Sequence, residues 1–294
     1  MVFANTGSGS FTSTQFILSR MESNSTQLIP VKSTISSVIL LLFFMFPALI
    51  GKAQSFAHPN GECGTELTEA DMVWLRTLQQ DPAFSADYLA RGGGPQYVRV
   101  KAHLVGKENY SSYYKIQSLL ESFCRLNGQY EETGFYFFFD YPLDIIEDDR
   151  WWSQTFSDGY DMIRLNNVDG ALNVYYVGNI ESGTIAGYFS PGADGVVMAN
   201  SASSPTGNTL AHEFGHFFSL PHTFYGWEWG TPSPAFQERV DGSNCNTAGD
   251  GFCDTPPDYA PYRWSCPSVG PFVDPNGVSF LVTDSFYMSY GGNE

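Results

Sequence analysis

H-E-F-G-H-F-F-S-L-P-H, residues 212–222, is the stretch on which the reading of this chain turns. On a helix, residues four apart share a face, so His212 and His216 can reach one metal ion together. Glu213 lies beside them, placed to hold a water on that metal. His222 comes after the natural end of the helix, where the chain can turn back to supply a third ligand. Three neutral imidazoles and one open position are what a catalytic zinc requires. The chain holds only five histidines, so a chance His-Glu-x-x-His is expected on the order of a few times per thousand such chains. A histidine-rich surface helix without metal is the plain alternative, and the third histidine at the right distance argues against it.

That donor set implies hydrolysis of peptide bonds without a covalent intermediate. Zinc lowers the pKa of its water toward neutrality and polarises the scissile carbonyl. Glu213, as general base, takes the proton and delivers it to the leaving amine. A structural zinc module is the competing class, but its sites are closed and Cys-rich and have no use for Glu213. A secreted zinc- and calcium-binding adhesion or interaction module without peptidase activity is a second alternative. Substituted ligands would have favoured it, and the intact Glu213 does not.

The 294 residues can hold one large domain or two small ones. With 43% hydrophobic residues and many aromatics, the chain can build a substantial core. Its formal net charge of −17 excludes nucleic acid as a natural partner, because a phosphate backbone would be repelled. The acidity suits an extracellular protein that binds calcium.

Val38–Ile50 is apolar and uncharged, is preceded by Lys32, and is followed by G-K-A-Q-S. This is the layout of a secretory signal cleaved near Ala53–Ser55. At 13 residues the run is short for a bilayer span, so no stable membrane anchor is expected. A membrane anchor or a buried core helix is the competing reading. The long lead before the run points to Met21 as the true start. Residues 1–55 are therefore read as lead and signal, 56–94 as a pro-segment and 95–294 as the catalytic domain, with Gly92-Gly93-Gly94-Pro95 marking the boundary.

Periodicity predicts a short helix over Thr65–Leu78, a half-buried strand over Val98–Val105 and a helix over Tyr110–Leu126. It also predicts a central buried strand at Phe135–Phe139 and strands at Leu172–Val177 and Gly195–Ala199. His103 falls in the first strand and reads as a packed residue rather than a ligand. Asn208 or Thr209 is the N-cap of the motif helix. There, Leu210, Phe214, Phe217 and Phe218 are placed to pack on a sheet while the histidines face a cleft. After His222 the pattern dissolves into Gly, Pro, Asp and aromatics, and such a segment needs staples.

H-E-x-x-H-x-x-x-x-x-H resembles the metzincin signature, and F-Y-M-S-Y (286–290) resembles the Met-turn of that clan. Within it, His222-Thr223-Phe224 and G-D-G-F-C-D-T-P-P (249–257) resemble the pappalysin family, including its ulilysin-like bacterial members. The resemblance covers roughly residues 97–294 and is specific in the second half. It implies an α+β, zincin-like fold, with a twisted mixed sheet and two main helices above the cleft and an irregular lower subdomain from about 223. An edge strand near Gly187–Ser190 is expected to pair with extended protein or peptide substrates. The resemblance further implies Met288 as the hydrophobic floor under the zinc and Tyr290 as the stabiliser of the oxyanion.

Asp250, Asp254 and Thr255 match the loop that binds calcium in relatives; the plain alternative is an acidic surface loop whose Asp side chains cap turns. Asp258 fits either reading. The family pattern also implies a Cys245–Cys266 disulfide, with Cys253 pairing to a cysteine just after the Met-turn. The sequence ends at Glu294 without that cysteine, which reads as a fragment. Otherwise Cys253 is free or paired with Cys124. Cys63, in E-C-G-T of the pro-segment, is placed to act as a cysteine switch on the zinc, and a Cys63–Cys124 disulfide is an equal alternative. Two departures stand out. Ser219 occupies a position where the signature usually has Gly, at a cost on the order of 1 kcal/mol if the left-handed turn is kept. Ser289 stands where the pappalysin pattern commonly has Asp.

Overall fold

The computed structural model describes residues 62–65, 67–81, 94–228, 230–259, 271–281 and 285–290. The apolar run at 38–50 and Cys266 lie outside them. The frame is a mixed sheet in the order β1 (Glu62–Cys63), β8 (Ile185–Ser190), β9 (Gly195–Ala199), β6 (Leu172–Val177), β2 (Gln96–Gly106) and β3 (Phe135–Phe139). Pairing is parallel throughout except between β8 and β9. The long β2 serves two neighbours on one side. Gln96–Val100 pair with β3, and His103–Gly106 with β4 (Asp144–Glu147). After the one-turn helix α3 (Asp149–Trp152), the short β5 (Ser153–Gln154) pairs with β7 (Asn179–Ile180) apart from this sheet.

Helices cover both faces. On one, α2 (Ile116–Tyr130) and α5 (Thr209–Phe217) enclose the larger core, which includes Val100, Leu119, Phe123, Phe137, Val174, Phe214 and Phe218. On the other, α4 (Phe156–Asn166) buries Met162 and Ile163 against Tyr175, Val177 and Val197. Capping boxes start two helices. Thr68 and Asp71 open α1 (Glu69–Gln79), and Thr155 and Asp158 open α4. The architecture is α+β, as expected, with β2, β6 and β9 near their expected bounds.

Several expectations need correction. The two helices expected above the cleft are α2 and α5, and two more of nine residues or more, α1 and α4, join them among the described residues. Phe135–Phe139 is a strand but not a central one. Among the described residues it pairs with β2 alone, so Phe135 and Phe137 face the core while Tyr136 and Phe138 are 37% and 47% exposed. Thr65 is not helical, because the helix waits for its cap at Thr68. The upstream residues run extended instead, and β1 occupies the outer edge of β8 that was expected to stand open.

His103 is packed, as read from sequence. It is fully buried, stacked on Tyr175 at 4.1 Å, and bonded to Asp144 (2.8 Å) and Asn173 (3.0 Å). Beyond α5 the described chain is irregular, apart from a two-residue hairpin of β10 (Phe272–Val273) and β11 (Ser279–Phe280). It is held by aromatic contacts of Tyr259 with Trp227 and Phe280 and by one disulfide. That disulfide joins Cys245 to Cys253 and corrects the expected Cys245–Cys266 pair. The chain folds back on itself over a sequence separation of 8 and brings the two Cα atoms to 5.1 Å, within bridging reach. Cys63 and Cys124 are both free; one is buried near the site described next and the other is exposed on α2.

Candidate active site

Helix α5 starts at Asn208, whose side chain does not cap the helix but accepts from Arg125 (2.9 Å) and Gln129 (2.8 Å) on α2. These contacts fix one end of the helix while Phe214, Phe217 and Phe218 anchor it in the core. The opposite face carries His212 and His216, one turn apart. Chain reversal follows at once. Ser219 adopts φ 65°, Leu220 N donates to Gly215 O, and His222 is brought back to the helix. Ser219 thus keeps the left-handed conformation that the signature usually gives to Gly.

The three rings present Nε2 to one point. His216 Nε2 lies 3.1 Å from His212 Nε2 and 3.1 Å from His222 Nε2. Nitrogens on a tetrahedral zinc at 2.0–2.1 Å stand about 3.3 Å apart, so the spacing fits that ion. Each Nδ1 is turned away and has its own acceptor. His212 donates to Tyr287 O (2.6 Å), His216 to Leu220 O (2.8 Å) and His222 to Glu228 Oε1 (3.1 Å). Burial, with His222 alongside, pushes His212 down to about 3. Burial and then the two neighbouring imidazoles hold His216 well below the usual range. Both are therefore neutral donors, as a metal requires.

Glu213 is fully buried, and its Oε1 has no hydrogen-bond partner among the described residues. Burial pushes its carboxyl up to about 8, against the lowering effect of hydrogen bonds from Cys63, Thr65 and Phe189. Met288 lies beneath the helix, 5% exposed, and its carbonyl accepts from Thr223 N. Tyr290 sets its ring tilted to His212 and edge-on to His222 and Phe224, and donates to Cys63 O at 3.2 Å.

The segment around Cys63 fills the cleft. Cys63 Sγ joins the three histidines, all four ligand atoms lying within 4.8 Å of one another. Its thiol donates to Glu213 Oε2 at 3.5 Å. Thr65 Oγ1 donates to the same oxygen at 3.2 Å and accepts from Phe189 N at 2.8 Å. Gly64 N donates to Gly187 O at 2.8 Å. Gly64 is there for lack of room: a Cβ would sit 2.7 Å from Phe156 and 3.1 Å from Ile185.

Asp250 and Thr255 are bonded to each other at 2.8 Å, and Asp250 also accepts from Phe252 N. Asp254 lies close enough to raise the Asp250 carboxyl by its charge, although burial is the larger cause. Sequence reasoning missed Glu238, which is buried beside Asp250 and Asp258 with one oxygen lacking a hydrogen-bond partner among the described residues. Asp258 accepts from Thr223 and from Ser289 (3.0 Å), so the serine that departs from the family pattern still ties the Met-turn to this loop. Thr65 and Glu228 were missed as well. The only signal for Glu228 is that it is the sole acidic residue between Glu213 and Glu238.

Residues 146–291 match the peptidase M43 family model, described as pregnancy-associated plasma protein-A. These residues belong to the pappalysin family. All three histidines, Glu213, Met288 and Tyr290 fall inside the pappalysin match, and Cys63 and Thr65 precede it. An extracellular metalloprotease of Colletotrichum graminicola (strain M1.001 / M2 / FGSC 10212) is 32% identical over 149 residues, 42% of this chain and 46% of that protein. The match therefore spans under half the length of that relative. Metalloproteinase-II from Bacteroides fragilis aligns over 56% of this chain and 47% of its own, at 14% identity and a TM-score of 0.34.

Proposed function

We propose that this chain is a secreted zinc endopeptidase, synthesised with a pro-segment (residues 56–94) ahead of the catalytic domain (95–294), and that residues 62–65 of that segment block the cleft. The convergence of three buried Nε2 atoms beside Glu213 carries the reading. His212, His216 and His222 would hold the ion. When bound, zinc supplies a Lewis acid for the scissile carbonyl and a water acidic near neutrality.

The protein's own groups do the rest. Glu213 takes a proton from the attacking water and passes it to the leaving nitrogen. A cation alongside favours the ionised carboxylate that a base needs, against the burial that raises it. Tyr290 already donates to a peptide carbonyl, that of Cys63, and a substrate carbonyl in its place would receive the same bond as charge develops on oxygen. Met288 forms the apolar floor. Substrates are proteins or peptides, laid along β8 through backbone bonds to Gly187 O and Phe189 N. The extracellular name belongs to the fungal relative and supports secretion of this chain.

Latency follows from the same contacts. Cys63 Sγ takes the fourth corner of the histidine cluster, Thr65 occupies an oxygen of Glu213, and β1 runs parallel along β8 where substrate would pair. Burial, then the Glu213 charge, holds the thiol protonated in the absence of a cation, and a metal would favour the thiolate. For the lower loop, we assign calcium to Asp250, Asp254 and Thr255, joined by Glu238 and Asp258. Several buried carboxylates in one place favour a hard divalent cation.

The test is digestion of a denatured, mixed-sequence protein by the secreted full chain. It is run with and without a zinc chelator, and beside Glu213→Ala. Cleavage abolished in both controls supports the reading; cleavage that survives either one overturns it.

A further inference from the structure

Helix α5 fixes the directions of His212 and His216, and backbone carbonyls hold their outer nitrogens. His222 has no such frame, since it lies on an irregular segment after the left-handed turn at Ser219. Its ring is held from three sides. Phe224 stacks on one face at 4.7 Å and 9°. Tyr290 meets it edge-on at 4.9 Å. Glu228 Oε1 accepts from Nδ1 at 3.1 Å, which leaves Nε2 pointing at the other two histidines.

The carboxylate is itself anchored. Its Oε2 accepts from Gly226 N at 2.6 Å, in a turn where Gly226 takes φ +94° and Trp227 N donates to Phe224 O. Both oxygens of Glu228 are thereby committed, with the side chain only 20% exposed. Of the three histidines, His222 alone has a carboxylate on its outer nitrogen. A carboxylate there fixes the tautomer and ring direction and makes the metal-facing nitrogen a stronger donor.

We propose that Glu228 is a positioning residue for the metal centre, holding His222 as third ligand through the Glu228–His222 hydrogen bond. The inference rests on the three-histidine metal reading and adds to it a fourth side chain that touches neither metal nor substrate.

The experiment measures zinc affinity of the full chain, by competition with a chromophoric chelator at one fixed pH. Every variant also carries Cys63→Ala, so that the thiol does not mask a weakened ligand. Glu228→Ala should bind zinc about 10–100-fold more weakly. Glu228→Gln, which keeps an acceptor of the same shape and covers the case of a misfolded alanine variant, should recover part of the loss. In a His222→Ala background neither substitution should change affinity further, because the group that Glu228 positions is gone. The visible spectrum of the cobalt-loaded chain should shift with Glu228→Ala, which a purely structural role far from the ligand would not cause. Unchanged affinity in Glu228→Ala and Glu228→Gln overturns the inference while leaving the metal site standing. An equal loss with His222 already removed overturns it too. A parental chain that takes up no zinc sinks the metal reading itself, and this inference with it.

Discussion

Gly215 lies between Phe214 and His216, and replacing it with alanine sets two effects of opposite sign against each other. A Cβ at this position would sit 2.2 Å from Met288 Sδ, 3.2 Å from Cε and 3.6 Å from Cγ. Comfortable contact begins near about 3.5 Å, so the sulfur must retreat by more than about 1 Å. Met288 has little room for that: it is 5% exposed, and its carbonyl is tied to Thr223 N. Overpacking of this kind costs about 1–3 kcal/mol. In the other direction, alanine favours a mid-helix position over glycine by about 0.8–1 kcal/mol. The clash wins, and Gly215→Ala should destabilise by up to about 2 kcal/mol in urea unfolding. The decisive arm is a background carrying Met288→Ala, which alone should cost about 2–5 kcal/mol. With the sulfur gone, Gly215→Ala should become stabilising by up to about 1 kcal/mol. That reversal of sign measures the contact between helix and Met-turn. A Gly215→Ala effect that is the same in both backgrounds would refute the packing of Met288 against α5.

Three further outcomes follow from the same geometry. Ser219 holds φ 65°, so Ser219→Gly should stabilise by about 1 kcal/mol, read as a rise in the urea midpoint; a fall would mean that the serine side chain contributes more than its backbone costs. Cys63→Ala should shorten or abolish the lag before proteolysis begins, and a lag equal to that of the parental chain would remove the thiol from the latency device. Burial, followed for Glu238 by the Asp250 and Asp258 charges, raises the Glu238 and Asp250 carboxyls. The folded state then keeps protons that the unfolded chain releases in the ordinary carboxylate range. Without calcium, stability should be full below about pH 4 and fall as pH rises above it, by about 1.4 kcal/mol per pH unit for each proton so held. Calcium should flatten that slope, and a slope indifferent to both calcium and Asp250→Asn would discard the site.

The parts of this molecule that could be read from sequence are those governed by one short-range rule. His212 and His216 are four apart on a helix, and β6 and β9 are short apolar runs, so period and length placed them. Phe135–Phe139 shows where that reasoning stops. Five aromatic residues read as deeply buried, yet among the described residues the strand pairs only with β2 and turns Tyr136 and Phe138 outward. Composition reports what a residue prefers, and sheet order decides what it receives. Cys245 shows the same limit from another side, since its bridge to Cys253 depends on how one loop closes rather than on a family's habit.

The least legible residues are those that act through a loop. Thr65 meets Glu213 across a separation of 148 residues, and Tyr290 meets Cys63 across 227. No period links such positions. They are brought together because β1 adds to the edge of β8 and the Met-turn closes beneath α5. Glu228 is close to His222 in sequence but stands outside any signature, because the turn at Gly226 rather than a helix sets its direction. A ligand on a helix inherits its aim from the backbone, whereas a ligand on a loop must be aimed by side chains. His222 has gathered Phe224, Tyr290 and Glu228 around it for that reason, and substitutions there should disturb the centre more than equally conservative changes around His212.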